Sequence, residues 1–203
     1  MKKFIIPIII IVALIFIIGS WFAGLNNTMV TLDEKATAQW GNVESAYQRR
    51  SDLIPNIVNT AKGYAEFEQE TLTQVIEARA QATSVNVDPQ NITPEQLAQF
   101  QQAQSGVSSA LSRLLVTVER YPELQANENF KELINELERT ENRINVERNR
   151  FNGEVQEYNT YIKKFPNNMV AGFLDFDEKG YFKADEGAQN APDVNFDFGN
   201  KEG

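Results

Sequence analysis

Neither cysteine nor histidine occurs among the 203 residues. Without cysteine there is no disulfide framework and no thiol through which a lipoprotein anchor could be attached. With both residues missing, the usual zinc sites, Ser-His-Asp triads and Cys-His pairs cannot be built. The di-iron centre of many helical bundles needs Glu-x-x-His pairs and is excluded on the same ground. There is no Gly-rich phosphate loop. The 28 acidic residues offer carboxylate pairs only by chance, so the sequence predicts neither an enzyme nor a cofactor.

Charge is absent from Phe4 to Leu25. The run FIIPIIIIVALIFII (residues 4–18), continued through Trp21, Phe22 and Leu25, reaches the roughly 20 residues that a bilayer-spanning helix requires. Pro7 falls in its first turns, where a missing N–H costs least. A cleaved signal peptide would have a shorter apolar segment ending in small residues. Here Trp21 and Phe22 fill that zone, and such aromatics suit a membrane interface. The segment therefore predicts a single-pass anchor embedded in lipid through residues 4–25. Lys2 and Lys3 precede it and the next basic residue is Lys35, so the positive-inside rule predicts an extracytoplasmic C-terminal domain on a bacterial inner membrane. Taking Lys2 and Lys3 from the 19 basic residues leaves 17 against 28 acidic, a net charge of −11 for residues 26–203. That charge argues against nucleic acid as a partner.

Beyond the anchor the composition is helical and poor in glycine up to Pro166. Phe130, Ile134, Leu137, Glu141, Ile144, Arg148, Phe151, Val155, Tyr158, Ile162 and Phe165 alternate by fours and threes, which predicts one helix from Asn127 to Phe165. Thr93-Pro94-Glu95-Gln96 reads as a capping box opening a helix from Ile92 to Arg120. Leu53–Ala82 and Asn27–Arg50 carry helical spacing as well. Ser51 or Asp52 could cap a new helix with Pro55 in its first turn, or Pro55 could kink one long helix. Matched lengths favour the break. The expectation is all-α: a transmembrane helix (residues 1–25 with the cytoplasmic stub), an antiparallel four-helix bundle (26–166), and a loosely ordered tail (167–203) whose first part packs on the bundle.

RRSDLIPNIVNTAKGY (Arg49–Tyr64), ERYPELQANENF (Glu119–Phe130), TENRI (Thr140–Ile144) and FNGEVQEYNTYIKKFPNNMVA (Phe151–Ala171) resemble the LemA family of bacterial membrane proteins. The resemblance runs in order along nearly the whole chain. It implies an antiparallel helical bundle and no established activity. Phe67, after Ala65-Glu66, stands where the family pattern leads one to expect histidine.

Two polar features remain. Glu141 and Arg148 occupy stripe positions, which predicts a buried polar network with Arg49, Arg50 and Asp52 as candidate partners, Arg113 and Glu119 being further ones. Such a network either fixes helix register or forms a ligand pocket. Asp175, Asp177, Gly180 and Glu186 match positions 1, 3, 6 and 12 of a calcium loop, but Lys179 puts a cation at a ligand position and flanking helices are lacking, so an ordinary acidic turn is the better reading. A tether without a catalytic set predicts an envelope scaffold or adaptor for an unidentified membrane or envelope protein. The alternative is a binding protein holding a small polar ligand or ion inside the bundle.

Overall fold

One helix, α1 (Lys2–Lys62), runs unbroken for 61 residues, about 90 Å at 1.5 Å per residue. It dominates the computed structural model, which describes residues 2–64 and 67–184. The other helices are α2 (Gln69–Ser84), α3 (Pro94–Val118), α4 (Pro122–Ala126), α5 (Glu128–Lys163) and α6 (Asn167–Phe173), and no strand occurs among the described residues. The C-terminal part of α1 forms an antiparallel four-helix bundle with α2, α3 and α5. The apolar residues at the start of α1, Ile5–Ile18, stand clear of it and are exposed.

The break favoured at Ser51–Pro55 does not form; the alternative, one long helix through Pro55, does. A proline deprives the carbonyl four residues back of its donor. That carbonyl belongs to Ser51, and Arg79 Nε from α2 donates to it at 2.8 Å. With the lost bond replaced, the helix continues to Lys62, where Gly63 N–H and Tyr64 N–H close the last turn on the carbonyls of Thr60 and Ala61. The second bundle helix therefore starts at Gln69 and not at Leu53. At the other predicted boundaries local chemistry prevails. Thr93 and Gln96 make both bonds of the capping box at the start of α3. The Asn127 side chain accepts from Phe130 N–H at the start of α5.

α1 and α5 lie antiparallel along their length. Trp40 packs on Phe151, with ring centroids 5.5 Å apart. Ten residues on in α1, Arg50 reaches Glu141, ten residues back in α5. At the far end Tyr64 Oη accepts from Asn127 Nδ2. The hairpin of α2 and α3 covers this pair, joining Ile54, Ile57, Val58 and Ala61 of α1 to Leu72, Val75, Leu111 and Leu114.

The chain after α6 crosses the bundle as an extended strap, and its Phe182 enters the core. The Phe182 ring stacks on Trp40 at 6.0 Å and meets Phe151 edge-on at 5.6 Å. Amide side chains on the helices grip the strap backbone as a neighbouring strand would. Asn159 bonds both N–H and C=O of Lys179, Asn152 both of Phe182, and Gln101 both of Lys183, at 2.9–3.1 Å. The Gly180 N–H donates to Ile92 C=O. A Cβ on Gly180 would stand 2.8 Å from Pro94 Cα, so the strap can lie this close to the start of α3 only as glycine.

Candidate functional site

The seam between α3 and α5 opens into a groove of about 510 Å³. Its deepest polar group is Arg50, carried in by the core stripe of α1 and only 2% exposed. Nη1 donates to Glu141 Oε1 at 2.7 Å and to Ser108 Oγ at 2.9 Å. Nη2 donates to Gln104, to the side-chain oxygen at 2.5 Å and to the carbonyl at 3.2 Å. The guanidinium carbon also stands 5.0 Å from the centre of the Tyr47 ring. Gln101, Ser105, Asn142, Asn145 and Arg148 line the walls.

Of the five residues expected in a buried network, the structure joins Arg50 and Glu141. Arg49, one residue on and so about 100° around the helix, is exposed and donates from Nε to Glu136 at 2.9 Å. Asp52 is exposed and accepts from Gln48 at 2.8 Å. Arg113 reaches Gln74 on α2. Arg148 is half-exposed rather than buried: it lies 5.0 Å over the Phe182 ring and donates to Lys183 C=O at 2.8 Å. The core face of α5 here is Leu137, Thr140, Ile144, Glu147 and Phe151. The stripe steps by three before four, which turns Glu141 and Arg148 to the groove edge and Thr140 and Glu147 inward. It also ends with α5 at Lys163, leaving Phe165 exposed.

The buried carboxylate of this helix is thus Glu147, which the heptad reading passed over. It accepts from Gln39 Nε2 at 2.8 Å and pairs at 3.4 Å with both Arg143 and Arg150. Arginines four residues before and three residues after a glutamate on one helix are its nearest surface neighbours, and this was the available signal. On the strap, Lys179 is buried and pairs with Asp33 at 2.9 Å, its ammonium 5.5 Å from the centre of the Tyr158 ring. The residues resembling a calcium loop are thus spent on the strap. Asp177 offers its carbonyl to Tyr158 Oη, Lys179 and Gly180 are packed against the bundle, and Glu186 lies outside the described residues.

Two groups titrate away from their ordinary ranges. Hydrogen bonds from Arg49, then Arg139, hold the Glu136 carboxyl below the usual carboxylate value. Burial, with the nearby negative charges of Asp33 and Asp177, pushes the Tyr158 phenol above its ordinary value. The groove therefore presents a guanidinium–carboxylate pair, hydroxyls and amides, a set suited to hydrogen-bonding a polar group or an extended backbone. No cluster of three or more acidic side chains among the described residues is placed to hold a metal.

The sequence pattern that defines the LemA family matches residues 39–196. The chain is also similar to curated bacterial proteins. Magnetosome protein MamQ 1 of Paramagnetospirillum magneticum is 28% identical over 174 residues, covering 77% of this chain and 64% of that protein. Magnetosome protein MamQ of Magnetospirillum gryphiswaldense is 28% identical over 173 residues, with the same coverage of 77% and 64%. Protein LemA of Metamycoplasma hominis is 26% identical over 144 residues, 71% of this chain and 62% of that protein. The chain thus spans less than two thirds of the length of these relatives.

Proposed function

This chain belongs to the LemA family, and from that premise we propose that it is a non-enzymatic, membrane-tethered scaffold or adaptor of the bacterial inner membrane. Residues 4–25 anchor it and the bundle stands outside the cytoplasm, where it engages a protein partner. The observation that carries this reading is the continuity of α1. The same 61-residue helix supplies an apolar, unburied segment long enough to cross a bilayer and one of the long members of the bundle core. A body fixed to its anchor without a linker presents its surface at a set height. The relatives named for the magnetosome carry the name of a structure rather than of a reaction, which fits an assembly role. The test is in vivo photo-crosslinking of the tagged full chain, followed by purification from membranes and mass spectrometry. A reproducible, near-stoichiometric protein partner is expected. Recovery of the chain without one would refute the adaptor role. An alkaline phosphatase fused after Gly203 should be active, and an inactive fusion beside an active cytoplasmic reporter would reverse the orientation.

A second reading rests on the groove, where Arg50, Glu141 and Arg148 line one opening. These groups could hold a small anionic or zwitterionic ligand. Native mass spectrometry of the detergent-purified chain tests this directly. A bound small molecule that is lost on Arg148→Ala supports it, and a chain at its bare mass contradicts it.

A further inference from the structure

α6 buries Asn167, Val170 and Ala171 against the bundle and turns its other face outward. On that face Met169 is 67% and Phe173 79% exposed, and Phe165, four residues before Met169, is 81% exposed. Met169 and Phe173 lie one turn apart on α6 and Phe165 in the turn before it, and three large apolar side chains left exposed so close together are unusual for a surface facing water only. Their place in the fold says what covers them. Val170 and Ala171 pack with Met29 and Leu32 of α1, and Phe22 and Leu25 lean on the same cluster. This is the end of the bundle from which the apolar segment of α1 emerges. The antiparallel register that sets Arg50 opposite Glu141 and Trp40 opposite Phe151 carries Phe165 to the level of Asn26. That is one residue past Leu25, where the apolar run ends, and four residues, about 6 Å along the axis, from Phe22. Exposed Lys164 and Lys163, the latter paired with Glu178 at 2.6 Å, border the patch.

We propose that α6 and Phe165 form a second membrane contact, in which Phe165, Met169 and Phe173 dip into the headgroup–acyl boundary beside the point where α1 enters the bilayer. The chemistry is that of an interfacial amphipathic helix: apolar side chains reach the upper acyl chains and lysines lie at headgroup level. Here the helix is only 7 residues long, too short to bind lipid alone, but the neighbouring span already holds it at the surface. Because α1 is continuous with the bundle, the contact sets toward which side the whole body tilts, which a single span leaves free. This inference rests on the reading of α1 as a span.

The chain has no cysteine, so a single introduced one carries a unique label. Full-length Phe165→Cys, Met169→Cys and Phe173→Cys variants, labelled with an environment-sensitive fluorophore, are reconstituted in vesicles of phosphatidylcholine and phosphatidylglycerol. Phe16→Cys in the apolar segment and Val116→Cys on the exposed side of α3 are the references. Labels at 165, 169 and 173 should be blue-shifted and quenched by lipids brominated high in the acyl chain. They should also resist aqueous iodide, while the label at 116 shows the reverse. Labels at 165, 169 and 173 that behave like the one at 116, with the one at 16 in lipid, would overturn the docking contact and leave the span intact. A label at 16 open to iodide would overturn both. Shielding of 165, 169 and 173 from iodide and brominated lipid alike would mean that protein covers the patch, a second copy or another chain, and would also overturn the proposal.

Discussion

The Arg50–Glu141 pair can be taken apart by a double-mutant cycle on residues 26–203, which contain the core from Met29 onward. Removing one partner of a fully buried pair costs about 3–5 kcal/mol. The two members differ, however: the Arg50 side chain is 2% exposed and that of Glu141 35%. After Arg50→Met the carboxylate can turn to water, so the loss should be nearer about 2–3 kcal/mol, mostly the hydrogen bonds to Ser108 and Gln104. After Glu141→Leu the guanidinium stays buried with only the neutral acceptors of Ser108 and Gln104, an expected loss of about 2–4 kcal/mol. The double variant strands no charge and should lose about 1–3 kcal/mol less than the sum. Urea melts of the wild type, both singles and the double give these values. Strict additivity, or an Arg50→Met variant as stable as wild type, would refute the reasoning. It would mean that the guanidinium is hydrated through the groove.

Three further outcomes follow from the geometry. Arg79→Met should cost about 1–3 kcal/mol by leaving Ser51 C=O without its donor, and almost nothing in a Pro55→Ala background, where the restored N–H takes that carbonyl; equal costs in both backgrounds by urea melts would sink this account of the unbroken α1. Gly180→Val drives a side chain into Pro94 and should lift the strap, with a loss of about 1–3 kcal/mol and faster proteolysis beyond α6, against which unchanged cleavage would count. Tyr158 is held neutral by burial, so its folded pKa lies above the unfolded value of about 10; its contribution is intact below that pH and declines as pH rises beyond it, so the gap in stability between wild type and Tyr158→Phe should narrow in alkaline melts, and a constant gap would contradict it.

The elements most legible in the sequence were those whose signals are local. Thr93-Pro94-Glu95-Gln96 set the start of α3, and the apolar spacing from Leu137 to Ile162 set α5. Local signals alone misplace the end of α1, because Pro55 outweighs Lys62-Gly63, a basic last turn followed by glycine. What rescues Pro55 is Arg79, 24 residues away and on another helix, and no local window contains it. The site was half legible. Arg50 interrupts the α1 stripe of Trp40, Val43, Tyr47, Ile54 and Ile57, and its burial could have been read there. Glu141 and Arg148 follow from an alternation that fits either phase of the helix, and only packing selects Thr140 and Glu147. The amide grip on the strap is invisible in sequence, since Gln101, Asn152 and Asn159 look like ordinary surface residues until their partners are known.

The continuity of α1 also constrains who can reach which surface in the proposed tethered arrangement. Between Leu25 and Met29 the helix passes from apolar on all sides to apolar on one stripe, with no interruption of its backbone. The axis of the bundle is therefore set by the axis of the span, whose tilt is typically about 20°. Arg50 lies 25 residues beyond Leu25, or about 38 Å above the membrane surface at 1.5 Å per residue, and a tilt of that size lowers it by only a few ångströms. A neighbour confined to the bilayer cannot touch the groove. It can meet only the span itself and the α6 end of the bundle that borders it. A partner recognised through Arg50 and Glu141 must be a soluble protein or one that projects about as far. Loss of a crosslink at Met169 and loss of a crosslink at Asn145 thus report on two different classes of partner.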